Sequence, residues 1–316
     1  MIESLSFALP LSIILSFISI SFVNGFFIKK NLIDKINERS SHKSLCTRSG
    51  GLSIFTVLFG ISIIFYLFGI KIYDFSLLVP LSLLLIVGLY DDIYQLDFKL
   101  KFIFQIIAAK IIIDNGLIID NLHGFMGIFE LGRFVSQILT IIIIVAIVNA
   151  INFIDGIDGL AISCFILFIS AFEYFSLSTT PFFLLSILLI FILLPLYYFN
   201  FRKKNKVFLG DSGSLFLGGV ISIYVIYILS NSYIIKPSYD LHKIIFVISI
   251  LSYPIIDIVR IFITRIMNGK SPFLPDKKHI HHLILKKTKS HFYTVAIIII
   301  TSILFLISIQ GIDNLI

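Results

Sequence analysis

The chain has 316 residues, of which 58% are hydrophobic and only 14% charged, with a formal net charge of +7 and a mean hydropathy of +1.04. This composition excludes an ordinary soluble domain and indicates a polytopic membrane protein. The positive balance does not indicate nucleic acid, because most basic residues segregate to one set of alternating loops, as membrane topology requires.

A helix needs about 20 apolar residues to cross a bilayer. The hydropathy pattern gives ten candidate spans, near residues 5–28, 51–70, 75–90, 101–114, 134–153, 159–177, 181–200, 212–233, 244–264 and 292–311. The third and fourth are short, and Lys110 interrupts the fourth. The first has no basic amino-terminal region and no A-x-A-like site after it, so it reads as a retained helix rather than a signal peptide. With ten spans, 20 of the 25 Lys and Arg fall on one side, within residues 29–48, 99–101, 202–206 and 260–289. The positive-inside rule makes that side cytoplasmic and turns both termini outward. The expected fold is all-α, a single membrane domain over 1–316 with its active site on the cytoplasmic loops. Cys46 lies in a basic loop and Cys164 inside a span, so neither a disulfide framework nor a cysteine metal site is expected.

The cytoplasmic loops hold nearly every unusual cluster. In the first, Glu38 to Gly51, a basic segment with adjacent glycines could wrap an anion, with Lys43 or Arg48 supplying charge; a topology-setting loop is the plainer reading. In the second, Asp91 and Asp92 directly follow a span, and adjacent carboxylates repel unless a cation or a proton relieves them. Magnesium, which takes oxygen ligands and keeps water, is the natural partner.

The stretch NAINFIDGIDGLA, Asn149 to Ala161, ends an uncharged run from Phe134. A carboxylate at the centre of the hydrocarbon costs about 2.5–3.5 kcal/mol on insertion scales, so Asp155 and Asp158 belong at the water boundary or in a pocket. Asn149, Asn152, Asp155 and Asp158 are spaced three apart, which makes a polar stripe on a helix or a helix-terminal turn. The fourth cluster, VFLGDSGSLFLGG, sets Asp211 between glycines where a helix opens, an arrangement suited to phosphate or a metal, or to an ordinary N-cap. The fifth, SPFLPDKKHIHHLIL, holds His279, His281 and His282 beside Lys277 and Lys278. No cysteine accompanies them, and a polyanion such as a diphosphate suits them better than structural zinc. His123, His242 and His291 stand alone and read as structural.

Together these motifs resemble the polyprenyl-phosphate N-acetylhexosamine-1-phosphate transferases, the MraY- and WecA-like enzymes of glycosyltransferase family 4. Four motifs occur in the family's order. Its acidic pair falls on Asp91 and Asp92, with Lys99 and Gln105 downstream. Its NxxNxxDGxDGLA motif falls on Asn149, Asn152, Asp155, Asp158 and Gly159, and FxGDxGS on Phe208, Gly210, Asp211, Gly213 and Ser214. SPFxPDxxHxHH falls on Ser271, Pro272, Phe273, Pro275, Asp276, His279, His281 and His282, in the form of the WecA and teichoic-acid-initiating branch. Two departures are Thr47, where the family usually has proline, and RKKNKVF, Arg202 to Phe208, one residue longer than the usual segment before FxGD.

The resemblance implies transfer of a sugar phosphate, most simply GlcNAc-1-phosphate, from a UDP-sugar to undecaprenyl phosphate at the cytoplasmic (inner) membrane, starting lipid-linked envelope glycan synthesis. Magnesium, with manganese as an alternative, would sit on Asp211 with Asp91 or Asp92. Asp91, Asp92, Asp155 and Asp158 are the catalytic candidates. Lys99, Asn149, Asn152, Phe208, Lys277, Lys278, His279, His281 and His282 are the substrate-binding candidates. The expected partners are the two substrates and the bilayer, without nucleic acid, and a homodimer is compatible with the pattern. A transporter or flippase of an anionic lipid-linked sugar is the rival class, with Asp257 and Arg260 in the ninth span as its best support.

Overall fold

The structure, a computed structural model, describes residues 2–34, 46–239, 241–269 and 278–310. Its long elements are helices: α1 (Ile2–Lys29), α2 (Gly50–Leu67), α3 (Leu78–Tyr94), α4 (Phe98–Asp114), α5 (Arg133–Ile154), α6 (Leu160–Phe175), α7 (Phe183–Phe201), α8 (Gly210–Leu229), α9 (Lys243–Ile250), α10 (Ser252–Met267), α11 (Ile280–Thr288) and α12 (His291–Gln310). Helices dominate because, without water, each backbone amide must find a partner within its own segment.

All ten apolar stretches are helical, but fewer qualify as membrane crossings. Among the described residues seven helices are long and apolar enough, and eight if α9 and α10 form one span. The difference from ten has local causes. Helix α4 carries Lys99, Lys101, Lys110 and Asp114, and α6 has only 16 residues. The ninth stretch breaks at Leu251, where α10 turns by 77° from α9. Pro254 lacks the amide that would continue α9 and is tolerated in the first turn of a new helix.

The chain forms two compact units, Met1–Gly116 with Thr179–Val220, and Leu117–Ser178 with Ile221–Ile316. In the first, α1 packs on α2 and α7, and α3 on α2 and α4. Ser16 Oγ donates to the Ile192 carbonyl at 2.7 Å, satisfying a buried hydroxyl between α1 and α7. Two short strands, β1 (Cys46–Thr47) and β2 (Lys206–Val207), pair in parallel, Cys46 with Lys206 and Thr47 with Val207. The pairing continues past β1, as Gly50 N and Gly51 N donate to the carbonyls of Phe208 and Leu209. In the second unit α5 packs on α6 and α10, and α12 on α6, α9, α10 and α11. Phe172, Tyr224, Tyr233 and Phe246 are fully buried there, and the Tyr233 hydroxyl donates to the Phe172 carbonyl at 2.7 Å.

Candidate active site

The first unit gathers acids at the N-terminus of α8. The last turns of α3 carry Asp91 and Asp92, the first turn of α4 carries Lys101, and α8 opens with Gly210 and Asp211. Close backbone approach makes this convergence. A Cβ on Gly51 would collide with the Gly213 backbone, and one on Gly88 with the Asp211 carbonyl. Small residues at such crossings let helix backbones meet in a membrane.

Lys101 Nζ bonds Asp91 Oδ2 at 2.9 Å and also pairs with Asp211 Oδ2. Asp91 Oδ1 accepts the Leu96 amide at 2.7 Å, which closes the C-terminus of α3. Asp92 faces elsewhere, because adjacent helical residues do not share a face. Its Oδ1 accepts the Asp211 amide and its Oδ2 the Ser212 amide, both at 2.9 Å. Lys99 is exposed and makes no ion pair among the described residues; Lys101 is the lysine placed on the acids. Gln105 is buried. The ring of Phe208 lies under Lys206 Nζ, 5.2 Å from the centroid, while its carbonyl holds Gly50. The amides of Gly50 and Gly51 are therefore ladder donors, and the glycine pair of the first loop serves packing rather than an anion.

No three His, Cys, Asp or Glu side chains converge as a preformed metal site among the described residues. The Asp91–Asp211 pair nevertheless suits a hard divalent cation. Two partly exposed carboxylate oxygens meet on one ammonium group, and magnesium commonly binds one or two carboxylates while substrate phosphates and water fill the rest.

The second unit holds the other motifs. The expected polar stripe is split by the end of α5. Asn149 and Asn152 lie in its last turns, Asp155 is its C-cap, and Asp158 sits in the turn before Gly159, whose φ of +75° opens α6. Asn149 Nδ2 donates to the Val145 carbonyl at 2.8 Å. Asp158 is buried and pairs with His291 Nδ1 at 2.7 Å, the same nitrogen that lies 3.1 Å from its amide.

The histidines enter through α11. Asp257, buried in α10, holds His279 Nδ1 with Oδ2 at 2.7 Å and accepts the Ile280 amide with Oδ1 at 2.7 Å, so it both orients His279 and caps α11. Arg260 lies 3.5 Å from Asp257 and reaches the Lys278 carbonyl. The ring of His281 is fully buried, with Nδ1 2.9 Å from the Tyr253 hydroxyl. Its Nε2 faces Gly156, where a Cβ would stand 2.7 Å away. Burial first, then the positive charges possible on neighbouring His282 and His279, pull the His281 pKa down to about 3. His282 packs against His281 with ring centroids 4.3 Å apart. Lys278 is exposed; Lys277 and the preceding Ser271, Pro272, Phe273, Pro275 and Asp276 lie outside the described residues.

The same unit has an apolar cavity of about 430 Å³, lined by side chains such as Leu139, Ile143, Ile147, Ile248, Ile255 and Val259. Sequence reasoning passed over Lys101 and Tyr253; it read Arg48 as a charge for an anion, Asp257 as support for a transporter and His291 as structural, and did not connect them to Asp92, His279 and Asp158.

Residues 75–229 match the model of glycosyl transferase family 4. The chain is 34% identical over 285 residues to a probable undecaprenyl-phosphate N-acetylglucosaminyl 1-phosphate transferase of Bacillus subtilis, an alignment covering 89% of this chain and 77% of the relative. It is 32% identical to an undecaprenyl-phosphate alpha-N-acetylglucosaminyl 1-phosphate transferase of Pasteurella multocida, covering 86% and 76%. A decaprenyl-phosphate N-acetylglucosaminephosphotransferase of Mycobacterium tuberculosis is 30% identical, covering 83% and 70%. With its acidic cluster at the head of α8, its IDGIDG turn and its oriented histidines in the order those motifs take, this integral membrane protein belongs to glycosyl transferase family 4, among the polyprenyl-phosphate N-acetylglucosaminyl 1-phosphate transferases.

Proposed function

We propose that the protein transfers N-acetylhexosamine 1-phosphate, GlcNAc-1-phosphate in the first instance, from a UDP-sugar to undecaprenyl phosphate, releasing UMP. The carrying observation is the meeting of Asp91 and Asp211 on one cation, Lys101, at a helix N-terminus. The reaction exchanges one phosphoanhydride for another and is freely reversible. Its difficulty is electrostatic, since one anionic phosphate must approach another.

Asp91 and Asp211 are the residues that would hold magnesium or manganese. The bound ion would screen the diphosphate and stabilise charge on the transferring phosphoryl group. Lys101 balances the two carboxylates and orients them. Asp155 and Asp158, with Asn149 and Asn152, position the nucleotide or help the acceptor react. His279, whose Nδ1 is held by Asp257, would bind the diphosphate or the sugar by its place in the family motif, together with His282, Lys278 and Lys277. The lipid phosphate attacks directly, or an aspartate attacks first; a UMP burst without lipid separates the two routes. The apolar cavity would take a part of the acceptor's isoprenoid chain. The concentration of 20 of the 25 basic residues in one set of loops supports a site facing the cytoplasm. The names of the relatives do not favour a transporter or flippase.

The test is to incubate purified protein with undecaprenyl phosphate, magnesium and a panel of UDP-N-acetylhexosamines and to measure UMP. Release should be highest with UDP-GlcNAc, vanish with chelator and return with magnesium or manganese. Asp211→Asn should lower it at least about 100-fold, the scale of a lost electrostatic stabiliser. No release with any sugar, or release indifferent to Asp211→Asn, would sink the proposal.

A further inference from the structure

The adjacent aspartates have opposite surroundings. Asp91 reaches Lys101 with a side chain 17% exposed. Asp92 has a side chain 1% exposed, and each of its oxygens takes an amide from the first turn of α8. Those amides have no carbonyl partner within their own helix. Leu209, the residue before α8, has no side-chain acceptor, and Ser212 Oγ has no partner among the described residues. Asp92 therefore caps α8 from another helix.

Asp92 is itself held. Arg48 Nη1 lies 3.6 Å from its Oδ1, and Arg48 Nη2 lies 3.0 Å from Asp34 Oδ1. Arg48 is fixed from its own side by the ladder, since its neighbour Thr47 pairs with Val207. Gly210 makes the room. Its φ is +74°, and a Cβ there would stand 2.7 Å from Asp92 Oδ2 and 3.0 Å from Arg48 Cβ.

We infer that Asp92 is a positioning residue rather than a metal ligand, and that Arg48 and Asp34 brace it so that Asp34, which follows α1, and Arg48, which precedes α2, set the direction of Asp211. Only the catalytic arms of its test rest on the proposed transferase reading. Arg48 then carries charge for a buried carboxylate rather than for a substrate phosphate, and the glycine before Asp211 is needed because Asp92 occupies the space of its side chain.

Three measurements test this. In metal-free protein, hydrogen exchange of peptides covering residues 207–215 should quicken about 5- to 10-fold in Asp92→Asn and Arg48→Ala, the size of a lost helix cap, and stay unchanged in Asp91→Asn. Unchanged exchange in Asp92→Asn overturns the inference whatever the activity. In turnover assays cadmium should restore UMP release to Asp211→Cys and not to Asp92→Cys; rescue of Asp92→Cys makes Asp92 a ligand. Arg48→Ala should lower kcat about 10- to 100-fold, as outer-sphere losses do, with KM for the UDP-sugar within about twofold. Asp34→Asn and Arg48→Lys should show the same pattern more mildly and serve if Arg48→Ala fails to fold. A raised KM at constant kcat would make Arg48 a substrate contact. Absence of UMP release from the unaltered protein counts against the transferase reading, while the exchange measurement still decides the role of Asp92.

Discussion

His281 illustrates how little room a single side chain has beside the IDGIDG turn. Its ring is fully buried against Gly156 and the Tyr253 hydroxyl, with His279, His282 and Asp257 nearby, and it stays neutral with a pKa lowered to about 3. An unfolded histidine titrates near 6.5. As pH falls below about 6.5 the unfolded chain takes up a proton that the folded chain refuses, so stability from this residue is present above 6.5 and drains away toward pH 3. Melting in detergent between pH 7 and 4 should fall less steeply in His281→Asn than in the unaltered protein. Gly156→Ala, which places a methyl on the ring, should lower the melting temperature at every pH in that range. The histidine run was legible as a cluster, but its division of labour was not. Which histidine meets Asp257 and which meets Tyr253 depends on how α10 packs. For the same reason Lys99 stood out as readily as Lys101, and His291 looked solitary although its partner Asp158 is 133 residues away.

At the scale of elements, the acid cluster depends on glycines that permit backbone contact and not on matching side chains. Within α2 the comparison is internal. Gly51 lies against the Gly213 backbone, whereas a Cβ on Gly60 would meet nothing within 4 Å. Gly51→Ala should cost at least the 1–3 kcal/mol typical of overpacking and abolish UMP release, while Gly60→Ala should be neutral in both melting and UMP release. Helix positions were legible because long apolar runs tolerate little else in a membrane. The break between α9 and α10 was marked only by Ser-Tyr-Pro, and a hydropathy window averages across it. Of the two readings of the stripe from Asn149 to Asp158, a helix or a helix-terminal turn, the structure takes the second: α5 ends at Ile154 with Asp155 as its C-cap, and Asp158 lies in the turn that follows.

For the whole molecule, charge asymmetry and crossing number make a joint statement that labelling can test. Both native cysteines are buried, so single cysteines can be introduced against a quiet background. Cysteines replacing Lys71 and Lys204 should react with impermeant maleimide from opposite sides of sealed vesicles, the second only from the cytoplasmic side. Labelling of both from one side would overturn the topology. The class of protein and its family were readable from composition and four motifs, because those residues are tied to chemistry. Counted by length and composition, the described residues give fewer than ten spans because α4 and α6 sit at the edge of the length and charge that a bilayer admits.

The parallel ladder between β1 and β2 also separates loop length from site geometry. The Arg202–Asn205 turn closes on itself before the ladder begins. Asn205 adopts a φ of +48°, and Arg202 Nε donates to the carbonyls of Lys204 and Asn205. From Lys206 onward the pairing with Cys46 and Thr47 resumes. Residues 203–205 are exposed, so an epitope or fluorophore inserted there should leave turnover intact. The chain thus carries a natural attachment point next to its acidic cluster, insulated from it by two strand residues on each side.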